Sequence, residues 1–260
     1  MIGSGKTTDE MGERWLGFIC PMTAARLGQS SGPAGVSAAG RSNRSATLGR
    51  PSAAMRATAR GPSTTISRNQ FEFATERVRK AGLGERITIL GEDYRDLTGT
   101  FDKLVSIEMI EAVGHHFLDS YFRICSERLK PAGRMLLQSI IIADRHFEQA
   151  RRSVDFIQKY IFPGGALPSC AGLLSSVSRV TDLQLTNLHD IGLDYARTLQ
   201  IWRERFMQRL QEVRRLGYPD EFVRMWEWYL AYCEGGFLER AISAVQVVLD
   251  KPDCRLQPRG

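Results

Sequence analysis

Residues 101–114 read FDKLVSIEMIEAVG. The apolar, β-branched run from Lys103 to Met109 follows the Thr98-Gly99 turn and predicts a strand. Working outward, 86–90 (RITIL) predicts a short strand before it. The stretch 134–142 (RMLLQSIII) predicts a strand after it, apolar enough to be covered on both faces. Ahead of these, Phe71, Ala74, Val78 and Ala81 fall at helical spacing over 68–81, with Gly82 as the stop. An amphipathic helix is predicted over 117–129, closed by Pro131 and Gly133. Strands alternating with helices predict an α/β fold built on a parallel sheet. A helix-rich section follows over 194–215 and 220–232 with three of the four Trp, and 244–249 (AVQVVL) is the candidate final strand.

The N-terminal part has a different texture. The chain has 260 residues and a formal charge of +6, yet no Asp or Glu occurs between Arg14 and Phe71, where eight Arg and no Lys stand. All the net basicity therefore sits in this stretch, and 72–260 is balanced. A nucleic-acid role inferred from overall charge has no support. Residues 28–63 are dominated by Gly, Ser, Ala, Arg, Pro and Thr, a composition that predicts disorder. The expected organisation is a low-complexity 1–63, a sheet core over 64–150, a mainly helical cap over 151–240 and a final strand over 241–250. Five scattered cysteines with no CxxC suit a reducing cytosol. No apolar run is long enough to span a membrane, and no secretory leader is readable.

Two motifs carry less than they suggest. Gly3-Ser4-Gly5-Lys6-Thr7-Thr8 looks like the end of a phosphate-binding loop, but no strand leads into it and its first glycine is missing. His115-His116 reads as a polar loop, because adjacent side chains diverge and no third ligand has metal spacing; no metal site is expected.

Several motifs in order resemble the cyclopropane-fatty-acyl-phospholipid synthase family, which includes the mycolic acid cyclopropane synthases. They are 65–70 (TISRNQ), 91–96 (GEDYRD), 101–114, 129–133 (LKPAG), 136–140 (LLQSI), 159–169 (KYIFPGGALPS) and Asp194-Tyr195. The resemblance implies a class I, Rossmann-like methyltransferase sheet that uses S-adenosylmethionine, with an inserted helical region roofing a lipid pocket. It implies methyl transfer to the cis double bond of an acyl chain, after which a bound bicarbonate removes a proton from the new methyl and a cyclopropane closes.

On this resemblance Glu111, Gln138, Ile140 and Tyr195 form the catalytic set, and Thr65, Ser67, Gln70, Asp93 and Tyr94 hold the cofactor. The local chemistry agrees in part. Glu111 lies just past an apolar strand, where open α/β sheets place their ligands, although a helix-start Glu would look the same. Tyr195 offers a neutral donor, or else a core aromatic. Thr65, Ser67 and Gln70 carry short polar groups, and Asp93 with Tyr94 follows the RITIL strand; a solvated turn reads equally well for each.

There are three departures from the family pattern. Gln138 stands where the family has His, although a variant subgroup carries LLQ with EAVG. The upstream Cys has no match, since Cys20 has the wrong neighbours. The first strand and its glycine-rich loop are not recognisable, as if 14–63 were read out of frame, which predicts weak or no cofactor binding.

The expected activity is cyclopropanation or methylation of phospholipid acyl chains by a cytoplasmic enzyme resting on the inner membrane face, with a homodimer left open. The aromatic-rich set Trp202, Phe206, Phe222, Trp226, Trp228, Tyr229 and Phe237 is expected to wall the pocket or to fill a core. The alternatives are a class I methyltransferase acting on another small apolar acceptor, and a non-catalytic remnant that binds lipid or a partner.

Overall fold

The computed structural model describes residues 15–19 and 60–255. The strands are β1 (Trp15–Ile19), β2 (Gly61–Thr64), β3 (Ile87–Leu90), β4 (Phe101–Ile107), β5 (Leu129–Ile142), β6 (Gln184–Asp190) and β7 (Ile242–Asp250). They form one seven-stranded sheet in the order β3-β2-β1-β4-β5-β7-β6. The helices are α1 (Arg68–Lys80), α2 (Leu118–Glu127), α3 (Asp144–Ala150), α4 (Cys170–Val180), α5 (Gly192–Gln208), α6 (Leu210–Arg215) and α7 (Asp220–Leu238). A π-helical turn spans Ile157–Ile161.

The expected missing first strand is corrected by β1. Trp15–Ile19 lies parallel between β2 and β4, pairing Gly17 with Ser63 on one side and with Val105 on the other. This is the central slot of the sheet. Five residues at the start of an acid-free stretch are masked by the composition around them. Strand β2 begins at Gly61, within the stretch whose composition reads as low-complexity. Its sequence, GPST, reads as a turn; Pro62 is accommodated because pairing to β1 begins only at Ser63. The phosphate-loop look-alike at 3–8, Cys20 and most of 28–63 lie outside the described residues.

The parallel order holds from β3 through β5, whereas β7 runs antiparallel to both β5 and β6. Strand β6 was not foreseen, since all but one of its residues are exposed and no apolar run marks it.

Strand β5 explains how the two faces differ. Met135, Leu137 and Ile141 point into the larger core, where α2 contributes Leu118, Tyr121, Phe122 and Cys125. The α4 side chains Leu173 and Val177 complete that core, so this helix of the 151–240 section packs on α2. The Tyr121 hydroxyl donates to Ser106 Oγ at 2.8 Å, which pairs two buried polar groups in the apolar interior. On the opposite face, Ile140 joins a second cluster made by Ala196 and Leu199 of α5, Leu230 and Phe237 of α7, and Ala244 of β7. The alternation of β5 thus seats the cap helices on one side and the sheet helices on the other.

Candidate active site

Past Ile107 the Glu108 N–H still donates to the Gln138 carbonyl at 2.9 Å, and the chain then turns with Glu108 at φ +49. A 3-10 turn over Ile110–Ala112 follows and buries Glu111. One carboxylate oxygen of Glu111 accepts from the Ile140 N–H at 2.6 Å and from the Ser139 hydroxyl at 2.9 Å. Its other oxygen is buried without a hydrogen-bond partner. Burial pushes the Glu111 carboxyl up to about 7; the amide and hydroxyl donors pull the other way, and the charge of Glu108 adds to the rise.

Tyr195 sits on the first turn of α5, and its hydroxyl donates to Glu108 Oε2 at 3.0 Å. Gln138 Nε2 donates to Glu108 Oε1 at 2.9 Å, while Gln246 Nε2 donates to Gln138 Oε1 at 2.9 Å. The two glutamines are cross-strand partners on β5 and β7, so one row of the sheet fixes the direction of the Gln138 amide. The Tyr195 ring stacks on Phe237 at 4.8 Å between centroids. Burial, followed by the charge of Glu108, pushes its phenol up, so it stays a neutral donor.

These groups face a largely apolar cavity of about 1480 Å³, lined by Glu108, Glu111, Ile140 and Tyr195 at its sheet end. That exceeds the range of roughly 300–1,000 Å³ usual for drug-sized ligands. Tyr195, Leu199, Trp202 and Phe206 form one stripe of α5 along it, with Trp226, Tyr229 and Phe237 of α7 facing them. Of the expected aromatic wall, Phe222 and Trp228 do not line it; Phe222 stacks on Trp226, and Trp228 is exposed.

Of the predicted catalytic residues, Glu111, Ile140 and Tyr195 line the cavity, while Gln138 does not and meets it through Glu108; they form two groups. Glu111 binds Ile140, whereas Tyr195 and Gln138 bind Glu108. The sequence reading missed Glu108; its one signal is a carboxylate directly after β4 inside an otherwise apolar run.

The other candidate residues gather at the neighbouring strand ends. The Thr65 hydroxyl donates to Gln70 Oε1 at 2.6 Å and accepts from the Ser67 N–H at 3.2 Å. Ser67 Oγ accepts from the Gln70 N–H at 3.4 Å and caps α1. After β3, Asp93 is gripped by Arg95 through both oxygens, at 2.9 and 2.8 Å, which holds its carboxyl below the usual range despite partial burial. Tyr94 is half-buried and meets Tyr121 edge-on at 5.6 Å. The Thr64 hydroxyl donates to the Glu92 carbonyl and ties the two loops together. His115 lines the cavity, with its ring centroid 4.0 Å from that of His116 and the two planes tilted by 41°. Among the described residues, no three His, Cys, Asp or Glu side chains are placed to hold a metal.

A family model described as mycolic acid cyclopropane synthetase matches residues 51–247. The chain belongs to that family. Among similar proteins, the tuberculostearic acid methyltransferase UfaA1 of Mycobacterium tuberculosis is 41% identical over 198 residues, covering 75% of this chain and 46% of that protein. The Escherichia coli K12 cyclopropane-fatty-acyl-phospholipid synthase is 38% identical over 188 residues, 72% of this chain and 46% of its own. This mycolic acid cyclopropane synthetase family member thus spans about half the length of the curated relatives it matches. In fold it is similar to the crystal structure of mycolic acid cyclopropane synthase CmaA1 complexed with SAH and CTAB. The TM-score is 0.73 at 22% identity, over 92% of this chain and 78% of that one.

Proposed function

We propose that this chain transfers the methyl group of S-adenosylmethionine to the cis double bond of an unsaturated phospholipid acyl chain and closes a cyclopropane. The observation that carries this reading is a large, mainly apolar cavity with two carboxylates, Glu108 and Glu111, in its wall at the carboxyl rim of the sheet, where α/β folds place their chemistry. The apolar lining and the volume suit an acyl chain, and the carboxylates suit a reaction that must dispose of a proton.

The donor set at the ends of β2 and β3 fits an adenosyl group. Short hydroxyls and an amide stand at Thr65, Ser67 and Gln70, and an acceptor carboxylate beside an aromatic ring stands at Asp93 and Tyr94. The segment after β1 that would cradle the methionine end lies outside the described residues. When bound, S-adenosylmethionine supplies an electrophilic methyl group.

The protein's own residues do the remainder. Ile140, Leu199, Trp202 and Phe206 hold the acyl chain and exclude water. Glu111, with one oxygen fixed and one directed nowhere else, can hold a proton near neutral pH. Tyr195 and Gln138 hold Glu108 toward the cavity. The bicarbonate implied by the resemblance does not fit this donor set. The Tyr195 hydroxyl and Gln138 amide are spent on Glu108, and the Ile140 N–H is spent on Glu111.

Arg205 and Arg215 at the cavity wall, with exposed Leu216 next to Arg215 and exposed Trp228 and Tyr232 on α7, suit a peripheral seat on the cytoplasmic face of an anionic membrane. No described helix is long and apolar enough to cross one. The test is incubation of the full chain with S-adenosylmethionine and vesicles of monounsaturated phospholipid, followed by mass spectrometry of the lipid. A gain of one CH2 per modified acyl chain is expected. Unchanged lipid, with no calorimetric heat on adding S-adenosylmethionine, would refute the reading.

A further inference from the structure

We propose that Glu108 is the built-in proton acceptor of this enzyme and occupies the place that a diffusible bicarbonate would otherwise take. The inference rests on the methyl-transfer reading above and deepens it.

The geometry is that of an internal carboxylate in an anion site. Both oxygens of Glu108 are addressed by neutral donors, one by the Tyr195 hydroxyl at 3.0 Å and the other by the Gln138 amide at 2.9 Å. Gln246 accounts for the opposite end of that amide, so Gln138 presents its NH2, not its oxygen, to Glu108. The donors therefore come from β5 and α5, with β7 behind. Its backbone is pinned by the N–H bond to Gln138 and held at φ +49, a region that L-residues other than Gly rarely occupy. Such strain persists where the surroundings over-determine it, and it clusters at functional sites. Glu108 also lines the same cavity as Glu111 and Ile140. A second anion placed here would find every donor engaged and a like charge within contact distance, an arrangement that repels it.

The step balances without a further reactant. Methyl addition to one alkene carbon leaves the positive charge on its neighbour. One C–H bond of the new methyl then breaks. Its electron pair closes onto the cationic carbon, and the proton passes to a carboxylate oxygen of Glu108. Glu108 becomes a neutral acid, the lipid becomes neutral, and the proton leaves to water once product departs. Gln138 serves this scheme better than a His would, because a neutral amide can donate to Glu108 on one side while accepting from Gln246 on the other, and it cannot titrate.

The test uses the full chain with 13C-bicarbonate followed by NMR, together with turnover in carbon-dioxide-free buffer with and without added bicarbonate. The expected result is that the native chain neither broadens the bicarbonate line nor changes rate when bicarbonate is removed. Glu108→Gly, which also relieves the positive φ, is expected to bind bicarbonate. It should lose about 10²-fold or more in turnover and recover part of it with bicarbonate or formate. Glu108→Gln keeps the shape and should lose a similar factor with no rescue. Bicarbonate binding by the native chain, a rate that collapses on its removal, or native turnover in Glu108→Gln would overturn the proposal. Absence of methyl transfer in every sample, with no heat from S-adenosylmethionine, would instead fail the functional reading, and the bicarbonate line would still report whether Glu108 fills the anion site.

Discussion

The Tyr195 hydroxyl meets Glu108 Oε2 at 3.0 Å across 87 positions of sequence, and this contact joins the cap helix α5 to the end of the sheet strand β4. Under the proposed methyl transfer, the contact makes the cap part of the chemistry. Removing the hydroxyl leaves the Phe237 stack intact but frees the Glu108 side chain. Tyr195→Phe is therefore expected to lower methyl transfer by roughly 10- to 100-fold, the worth of one hydrogen bond to a charged group. Affinity for S-adenosylmethionine should be unchanged by calorimetry.

Glu111 makes stability depend on pH with a defined sign. Its folded value of about 7 lies above the ordinary 4.5, so the folded state holds the proton more tightly than the unfolded chain. The stabilisation is fully present below pH ~4.5 and is lost as pH rises through ~7, an effect of about 3 kcal/mol at most. Urea denaturation at pH 5 and pH 8 should resolve this slope. Glu111→Gln should flatten it.

Gly192 opens the helix that carries Tyr195, and a Cβ placed there would lie 2.2 Å from Ser243 Oγ and 3.1 Å from Asp190 Oδ1. Those two groups are bonded to each other, and Asp190 also accepts from the Gly192 N–H at 2.8 Å. Gly192→Ala must therefore break this cluster or shift α5. A loss of roughly 1–3 kcal/mol is expected in thermal or urea unfolding, with a larger proportional loss of turnover than of folded protein.

The central place of β1 has its own test. Gly17 is paired on both sides of the sheet, so Gly17→Pro removes a ladder donor from an interior strand. The expected outcome is loss of cooperative unfolding by circular dichroism. The same substitution at an exposed site such as Gln184 of β6, the edge strand, should be tolerated far better.

How much the sequence reveals depends on where the information is stored. Strand β5 is legible because nine successive residues from Arg134 carry an apolar pattern that no exposed element would bear. Strand β2 is not, because Gly61, Pro62, Ser63 and Thr64 have the composition of a turn and become a strand only through neighbours on both sides. Strand β1 is hidden by the arginine-rich segment after it. Glu111 could be found from its position one turn past an apolar strand. Glu108 carries one local mark, a carboxylate in an apolar run, but nothing local announces that Tyr195 and Gln138 will converge on it from two other elements. Thr65, Ser67 and Gln70 fall between these cases, because their spacing marks a helix cap whether or not a cofactor lies beside it.

The central claim is that a carboxylate at this rim strips a proton from the methyl group just delivered. The most direct measurement supplies S-adenosylmethionine with a fully deuterated methyl group and analyses the lipid product by mass spectrometry. The account predicts that each modified acyl chain gains CD2, one deuteron having been removed. A product that retains all three deuterons would contradict it.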